Sequence, residues 1–276
     1  MPLPRAWEWM ALATITGKSM LLQFQPQSAD MEQWAKLAHE ENAAFEVMDP
    51  FFLPGIRNFE KYRQIAQQYR ETGIAASVHG AFIDVNPASG DPAVRELSRQ
   101  RCRESCEIAL ALGAGNVVFH SSAFPFLRGA YLENWAASCG SFYEELVMQY
   151  PVRIYIENAQ DLDPTPLRSL MEHICSDRIG VCLDIGHIHY SRTPVCQWFD
   201  QLGEWIRYLH LSDNMGEFDD HLPLGKGTID WEQVNVLWKA LGKDIPITVE
   251  TGDLESARES IRFLREHGYF GLEGME

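Results

Sequence analysis

Short runs rich in β-branched and aromatic residues alternate with longer stretches of helical spacing from about residue 20 onward. The runs are MLLQF (20–24), AFEVM (44–48), IAASVH (74–79), NVVFH (116–120), VRIYIE (152–157), IGVCLD (179–184), IRYLHL (206–211) and PITVE (246–250). Most are near-continuously apolar, the pattern of parallel strands covered on both faces. Ser28-Ala29-Asp30 reads as a cap before the stretch through Trp34, Leu37 and Ala38. Asp91-Pro92 opens a long helix through Leu97 and Leu110, and Leu112-Gly113-Ala114-Gly115 ends it. Asp253 precedes a last helix carrying Ala257, Ile261 and Leu264. Eight strand–helix units without a linker predict a single (β/α)8 TIM barrel over about residues 20–267, with short extensions inside one domain, 1–276. A doubly wound open sheet gives the same alternation, but the count of eight favours closure. The first unit is the least defined, since Ala11–Ile15 could hold part of the first strand.

Composition narrows the partners. The chain is 46% hydrophobic with eight Trp and fourteen Phe, which fits a packed globular domain. Its 23 Lys and Arg face 39 Asp and Glu, a net charge of −16. That balance opposes binding to a phosphate backbone or an anionic membrane, although it leaves room for one local basic or metal-rich groove. A small molecule is the default partner. No apolar run approaches the roughly 20 residues needed to span a bilayer. Met1 to Met10 has one basic residue and no apolar core, so it does not read as a signal peptide. Cytoplasmic location follows as the expectation, with all six cysteines reduced and used for packing.

The chemistry lies in what terminates the runs. The third ends at His79, the fourth at His120, the fifth at Glu157 and the sixth at Asp184, with His187 three residues later. His210 stands near the end of the seventh, Asp219 and His221 follow in its loop, and Glu250 ends the eighth. A barrel brings all these ends to one face. A single His at a strand end is most often a hydrogen-bonded structural residue; nine such groups at one mouth are a different matter. Four carboxylates in one cavity repel each other and raise their pKa values unless a cation compensates. Imidazole and carboxylate without thiolate suit Zn²⁺, Mn²⁺, Co²⁺ or Fe²⁺ more than a structural zinc. Asp219-x-His221, flanked by Gly216 and Gly225, could close around a second or third ion.

As an ensemble, His79-Gly-Ala-Phe-Ile-Asp, Val118-Phe-His120, Tyr155-Ile-Glu157-Asn158, Val181-Cys-Leu-Asp184-Ile-Gly-His187, Leu209-His210-Leu-Ser-Asp213, Asp219-Asp-His221 through Asp230 and Val249-Glu250 form one pattern. It resembles the xylose-isomerase-like barrel superfamily, which includes sugar isomerases, epimerases and endonuclease IV. The resemblance implies a central metal on Glu157, Asp184, His210 and Glu250. In the isomerase and epimerase branch, the two glutamates are acid and base beside a metal-polarised carbonyl. The endonuclease branch implies three zinc ions on nine ligands, and His79, His120, Glu157, Asp184, His187, His210, Asp219, His221 and Glu250 match all nine. Phe82 stands where that motif has a tyrosine in a loop that engages DNA.

Other signals fail. Gly17-Lys18-Ser19 lacks the preceding glycine of a phosphate loop, since Leu12 stands there. Gly113-Ala-Gly115 precedes a strand instead of following one, and no G-x-S-x-G occurs. His39, His173 and His267 read as surface or packing residues, and His189 has no second motif beside it. Lys226, in the glycine-rich loop after His221, could meet an anionic group, and His187 could orient a substrate hydroxyl or a metal. Phe51–Arg57 and Ser121–Tyr131 suggest pocket walls, and Trp7 and Trp9 could cover a second copy of the chain or the barrel floor.

The leading expectation is therefore isomerisation or epimerisation of a sugar or sugar phosphate, dependent on one to three zinc or manganese ions, with Glu157 and Glu250 as acid and base. The rival is an endonuclease IV-type phosphodiesterase. A further rival is a metal-stabilised sugar-binding protein without catalysis. On the leading expectation Glu250→Gln leaves the fold intact and abolishes turnover. Near-native turnover of that variant would remove the proton-transfer role.

Overall fold

Neighbouring side chains of a strand point to opposite faces, and here the two faces carry different chemistry. A computed structural model describes residues 22–26, 31–48, 67, 74–191 and 193–272. Its eight strands are β1 (Leu22–Phe24), β2 (Ala44–Met48), β3 (Ala75–His79), β4 (Asn116–His120), β5 (Arg153–Glu157), β6 (Ile179–Asp184), β7 (Ile206–Leu211) and β8 (Ile247–Val249). All pair in parallel with their sequence neighbours, and β1 pairs with β8, so the sheet closes. The protein is a (β/α)8 TIM barrel, and the open-sheet alternative is excluded.

Val117 and Phe119 of β4, Ile154 and Ile156 of β5, Val181 and Leu183 of β6, and Leu209 and Leu211 of β7 belong to the large apolar core shared with the surrounding helices. The residues between them do not. Val118, Tyr155, Cys182 and Tyr208 form a separate buried cluster, the filling of the barrel interior. Two residues further along the same faces stand His120, Glu157, Asp184 and His210. The same alternation that packs the helices outside therefore aims these four inward, one layer above an apolar plug. Register sets them side by side, with His120 opposite Glu157 and Asp184 opposite His210.

The helices end as their sequences predict. Asp91 accepts hydrogen bonds from the Ala93 and Val94 amides at 2.8 and 3.3 Å, Pro92 occupies the first turn, and Gly113 closes Pro92–Leu112 in the left-handed region. Asp253 caps Leu254–His267 through the Ser256 amide at 2.9 Å. Two short helices, Ile185–Ser191 and Val195–Leu202, follow β6, and Pro194, which has no amide hydrogen, stands immediately before the second. Cys102, Cys106, Cys139 and Cys182 are buried free thiols, whereas Cys175 is exposed, so packing does not account for all six. Among the described residues no helix is long and apolar enough to cross a membrane. The Ser28-Ala29-Asp30 cap, Ala11–Ile15, Trp7, Trp9 and the Phe51–Arg57 loop lie outside the described residues.

The loop after β7 is tied by one buried carboxylate. Asp213 Oδ1 accepts the amides of Asn214 (3.0 Å) and Ile229 (3.3 Å), and Oδ2 accepts the Gly225 amide (2.9 Å) and the Trp231 indole (2.8 Å). Its backbone also pairs both ways with Leu222, at 3.0 and 2.8 Å. Gly227 passes so close that a Cβ there would collide with Asp213 Oδ1 and the Asn214 backbone. The knot brings the segment carrying Asp219 and His221 back over the mouth. Asp213→Ala leaves the buried Asn214 amide and Trp231 indole, and the partly buried Gly225 and Ile229 amides, without their acceptor, and should cost about 3 kcal/mol of stability. Amide exchange at Gly225 and Ile229 should accelerate; unchanged protection there would show that the loop is held by something else.

Candidate metal centre

The nine sequence-selected residues fall into three contiguous groups. His79 Nε2 and His120 Nε2 lie 3.3 and 3.6 Å from Glu157 Oε2. The other Glu157 oxygen is 3.3 Å from His210 Nδ1, which is also 3.2 Å from Glu250 Oε2 and 3.9 Å from Asp184 Oδ2. Asp219 Oδ2 lies between His187 Nε2 at 3.2 Å and His221 Nε2 at 3.0 Å. Glu157 is thus shared by the first two groups. His187 ties in the third, with Nδ1 3.4 Å from Glu157 and its amide donating to Asp184 Oδ1 at 2.6 Å.

Most of the rings are locked from behind. His79 Nδ1 donates to the Gly80 carbonyl at 3.1 Å, His187 Nδ1 to the Asn158 carbonyl at 2.6 Å, and His221 Nδ1 to the Glu250 carbonyl at 3.2 Å. Each such bond fixes the ring and leaves Nε2 for the centre. His120 instead packs against Phe82, ring centroids 4.6 Å apart. His221 itself has φ +48°, a left-handed backbone held by the loop knot.

A divalent cation fits this donor set. Glu157 Oε2, Asp184 Oδ2 and His210 Nδ1 are buried and make no hydrogen bond, although each lies within ion-pair reach of its neighbours. Buried polar atoms without partners are rare, and three facing one another are what an ion would satisfy. In His79–His120–Glu157, and again in Glu157–Asp184–His210–Glu250, the ligand atoms all lie within 4.8 Å of one another.

The electrostatics carry the same message. Burial works to raise the Glu157 carboxyl, but the His210, His120 and His79 imidazoles around it hold it well below the usual range. Burial also works to raise Glu250, and His210 holds it down. Asp184 is pushed up by burial and by its Glu157 and Glu250 neighbours, against the pull of His187. Burial drives His120 down to about 4. Burial opposes charge on His187, His210 and His221 too, yet their carboxylate surroundings raise all three, His221 to about 9. Protons on the imidazoles do the work a cation would otherwise do.

Four polar residues to which sequence reasoning assigned no role complete the site, although Asn158 and Asp213 stood within its motifs. Glu46, in the middle of β2, reaches His210 Nε2 at 3.1 Å. Asn158 clamps β5 to β6, accepting the Asp184 amide at 2.8 Å and donating to the Asp184 carbonyl at 3.0 Å. Asp161 accepts the Ser121 hydroxyl at 2.6 Å, and burial lifts its carboxyl to about 6. Asp213 holds the loop as described. An ionisable residue inside an otherwise apolar strand was the available signal for Glu46. Phe82 is half-buried with its ring also 5.1 Å from His79, and Lys226 is exposed with Nζ 3.9 Å from Glu259. His189 bonds Thr228 at 2.8 Å, His173 pairs with Glu133 at 2.9 Å, His267 bonds the Phe263 carbonyl at 2.8 Å, and His39 is exposed.

These shifts set a pH dependence for the metal-free protein. The folded pKa of His221 is about 9 against an ordinary 6.5, so its contribution is complete below 6.5 and is lost as pH rises through 9. Asp184, raised from 3.8, acts with the same sign, since its folded form resists ionisation as pH climbs. The melting temperature of chelator-treated protein should therefore fall between pH 6.5 and 9. With zinc or manganese it should hold or rise there, because metal and protons compete for the same atoms. A metal-free melting temperature that climbs across this interval would contradict the pairing of Asp219 with His221.

Known proteins point the same way. A sequence profile of the xylose isomerase-like TIM barrel family matches residues 27–267. The uncharacterized protein MJ1311 of Methanocaldococcus jannaschii is 28% identical over 267 residues, covering 91% of this chain and 88% of its own. A probable endonuclease 4 of Mycobacterium leprae is 28% identical over 223 residues, 74% of this chain and 83% of its own. Among solved structures, a D-tagatose 3-epimerase-like protein superposes with a TM-score of 0.73 at 25% identity, covering 90% of this chain and 97% of its own. With the closed barrel and the profile match over most of its length, the chain belongs to the xylose isomerase-like TIM barrel family.

Proposed function

We propose that the protein is a divalent-metal-dependent hydrolase of phosphate esters, acting on a small carbohydrate-containing substrate with up to three ions. The observation that carries this reading is the third group, His187–Asp219–His221, assembled beside the other two. One ion on Glu157, Asp184, His210 and Glu250 would leave five aligned ligand residues without a task.

Divalent ions bound there supply positive charge to phosphoryl oxygens and lower the pKa of an attacking water. The chain does the rest. Carbonyls behind His79, His187 and His221 keep three rings aimed. Phe82 walls one side against His120 and shields the ester from bulk water. Lys226, on the loop after His221, offers its ammonium to an anionic substrate in place of Glu259. The net charge of −16 favours a compact ester over a duplex. Relatives described as probable endonuclease 4 and D-tagatose 3-epimerase-like support ester and carbohydrate chemistry, respectively.

A second reading keeps the isomerase or epimerase expectation. Glu157 and Glu250 both stand within 3.3 Å of His210 Nδ1, so two carboxylates flank one centre and could take and return a proton beside a polarised carbonyl. Metal content separates the readings. Protein purified without chelator should hold about three ions per chain, and Asp219→Ala should lose one of them. Phosphoester turnover should fall about 100-fold or more in that variant. One ion per chain, with ketose epimerisation surviving Asp219→Ala, would instead support the second reading.

A further inference from the structure

His210 is oriented differently from the other locked rings of the centre. His79, His187 and His221 each give Nδ1 to a backbone carbonyl and turn Nε2 inward. His210 does the reverse: Nδ1 lies among Glu157, Asp184 and Glu250, while Nε2 points down the barrel to the Glu46 carboxylate at 3.1 Å. The reason is its place on β7. Its ring sits at the depth of the β-barrel where the neighbours behind it are side chains of the interior layer instead of loop carbonyls.

Glu46 is itself held on all sides. Its Oε2 accepts the Tyr208 hydroxyl at 2.7 Å and the Thr248 hydroxyl at 3.3 Å, and its Oε1 accepts the Gln25 amide at 3.3 Å. It is completely buried and belongs to neither clustered ligand group. An ionisable residue at this depth, contributed by a strand that supplies no other residue of the cluster, is costly to bury unless it is fully hydrogen-bonded, as Glu46 is.

We propose that Glu46 is a positioning residue: it keeps His210 protonated on Nε2, so that Nδ1 is the nitrogen given to the metal on Glu157, Asp184 and Glu250. A carboxylate acceptor strengthens the ring as a donor more than a carbonyl does. The central group therefore binds its ion more tightly than the two groups whose rings lean on backbone carbonyls or, for His120, on Phe82. The proposal rests on the metal-centre reading and is independent of which reaction follows.

Zinc is the probe, titrated into chelator-stripped full-length protein against a competing chelator. The wild-type chain should fill one high-affinity site first. Glu46→Gln, which keeps the shape and one acceptor, should weaken that site about 10-fold or more and leave the other sites unchanged. Glu46→Leu should weaken it further, up to about 100-fold. Nitrogen-15 NMR of zinc-loaded wild-type protein supplies a readout that needs no variant, and should show a protonated His210 Nε2 with zinc on Nδ1. Zinc on Nε2, or Glu46→Gln and Glu46→Leu with wild-type affinity, overturns the proposal alone. No zinc bound by the wild-type chain overturns the metal-centre reading and the proposal with it. If Glu46→Leu does not fold, the Gln variant and the wild-type spectrum still decide.

Discussion

Three acidic side chains are buried side by side in one barrel mouth, and their mutual repulsion is the constraint around which the rest of the molecule is arranged. Glu157, Asp184 and Glu250 are all nearly or wholly out of solvent. In a low-dielectric cavity such a set persists only with compensating positive charge. Imidazoles interleaved among them meet that need in part, which is why His187, His210 and His221 are held toward their charged forms. Divalent ions would meet it fully and release those protons.

Placing that much polarity inside a fold requires an unusually reliable apolar frame. The strands provide it by alternation. Their outward residues join one large core with the helices, and the Val118–Tyr155–Cys182–Tyr208 layer plugs the barrel beneath the polar ring. Closure of the sheet removes any edge along which the ring could splay. The polar residues on strand ends are therefore as rigid as the backbone register, whereas His187 rides on the short helix after β6 and Asp219 and His221 on a loop. That loop has its own anchor in Asp213, which receives four donors.

Outer partners turn a collection of ligands into an oriented set. Three backbone carbonyls fix three rings, Asn158 clamps the strand that carries Asp184, and Glu46 stands behind the fourth ring. A site built this way holds its side chains in place by contacts that need no ion.

Much of this was legible in the chain alone. Apolar runs ending in or followed by His, Glu or Asp located the strands and the nine polar residues of the mouth, because a parallel barrel forces strand ends to one face and period 2 forces the side-chain direction. The caps Asp91 and Asp253 and the stop at Gly113 were equally local, since each acts within a turn of helix. The partition of the nine into three groups, with Glu157 shared, depends on register between strands and on a loop folding back, and neither is written in any one segment. The roles of Glu46, Asn158, Asp161 and Asp213 were likewise decided only in three dimensions. Glu46 and His210 are 164 residues apart, and their bond exists because barrel closure brings β2 and β7 to face each other across a filled interior.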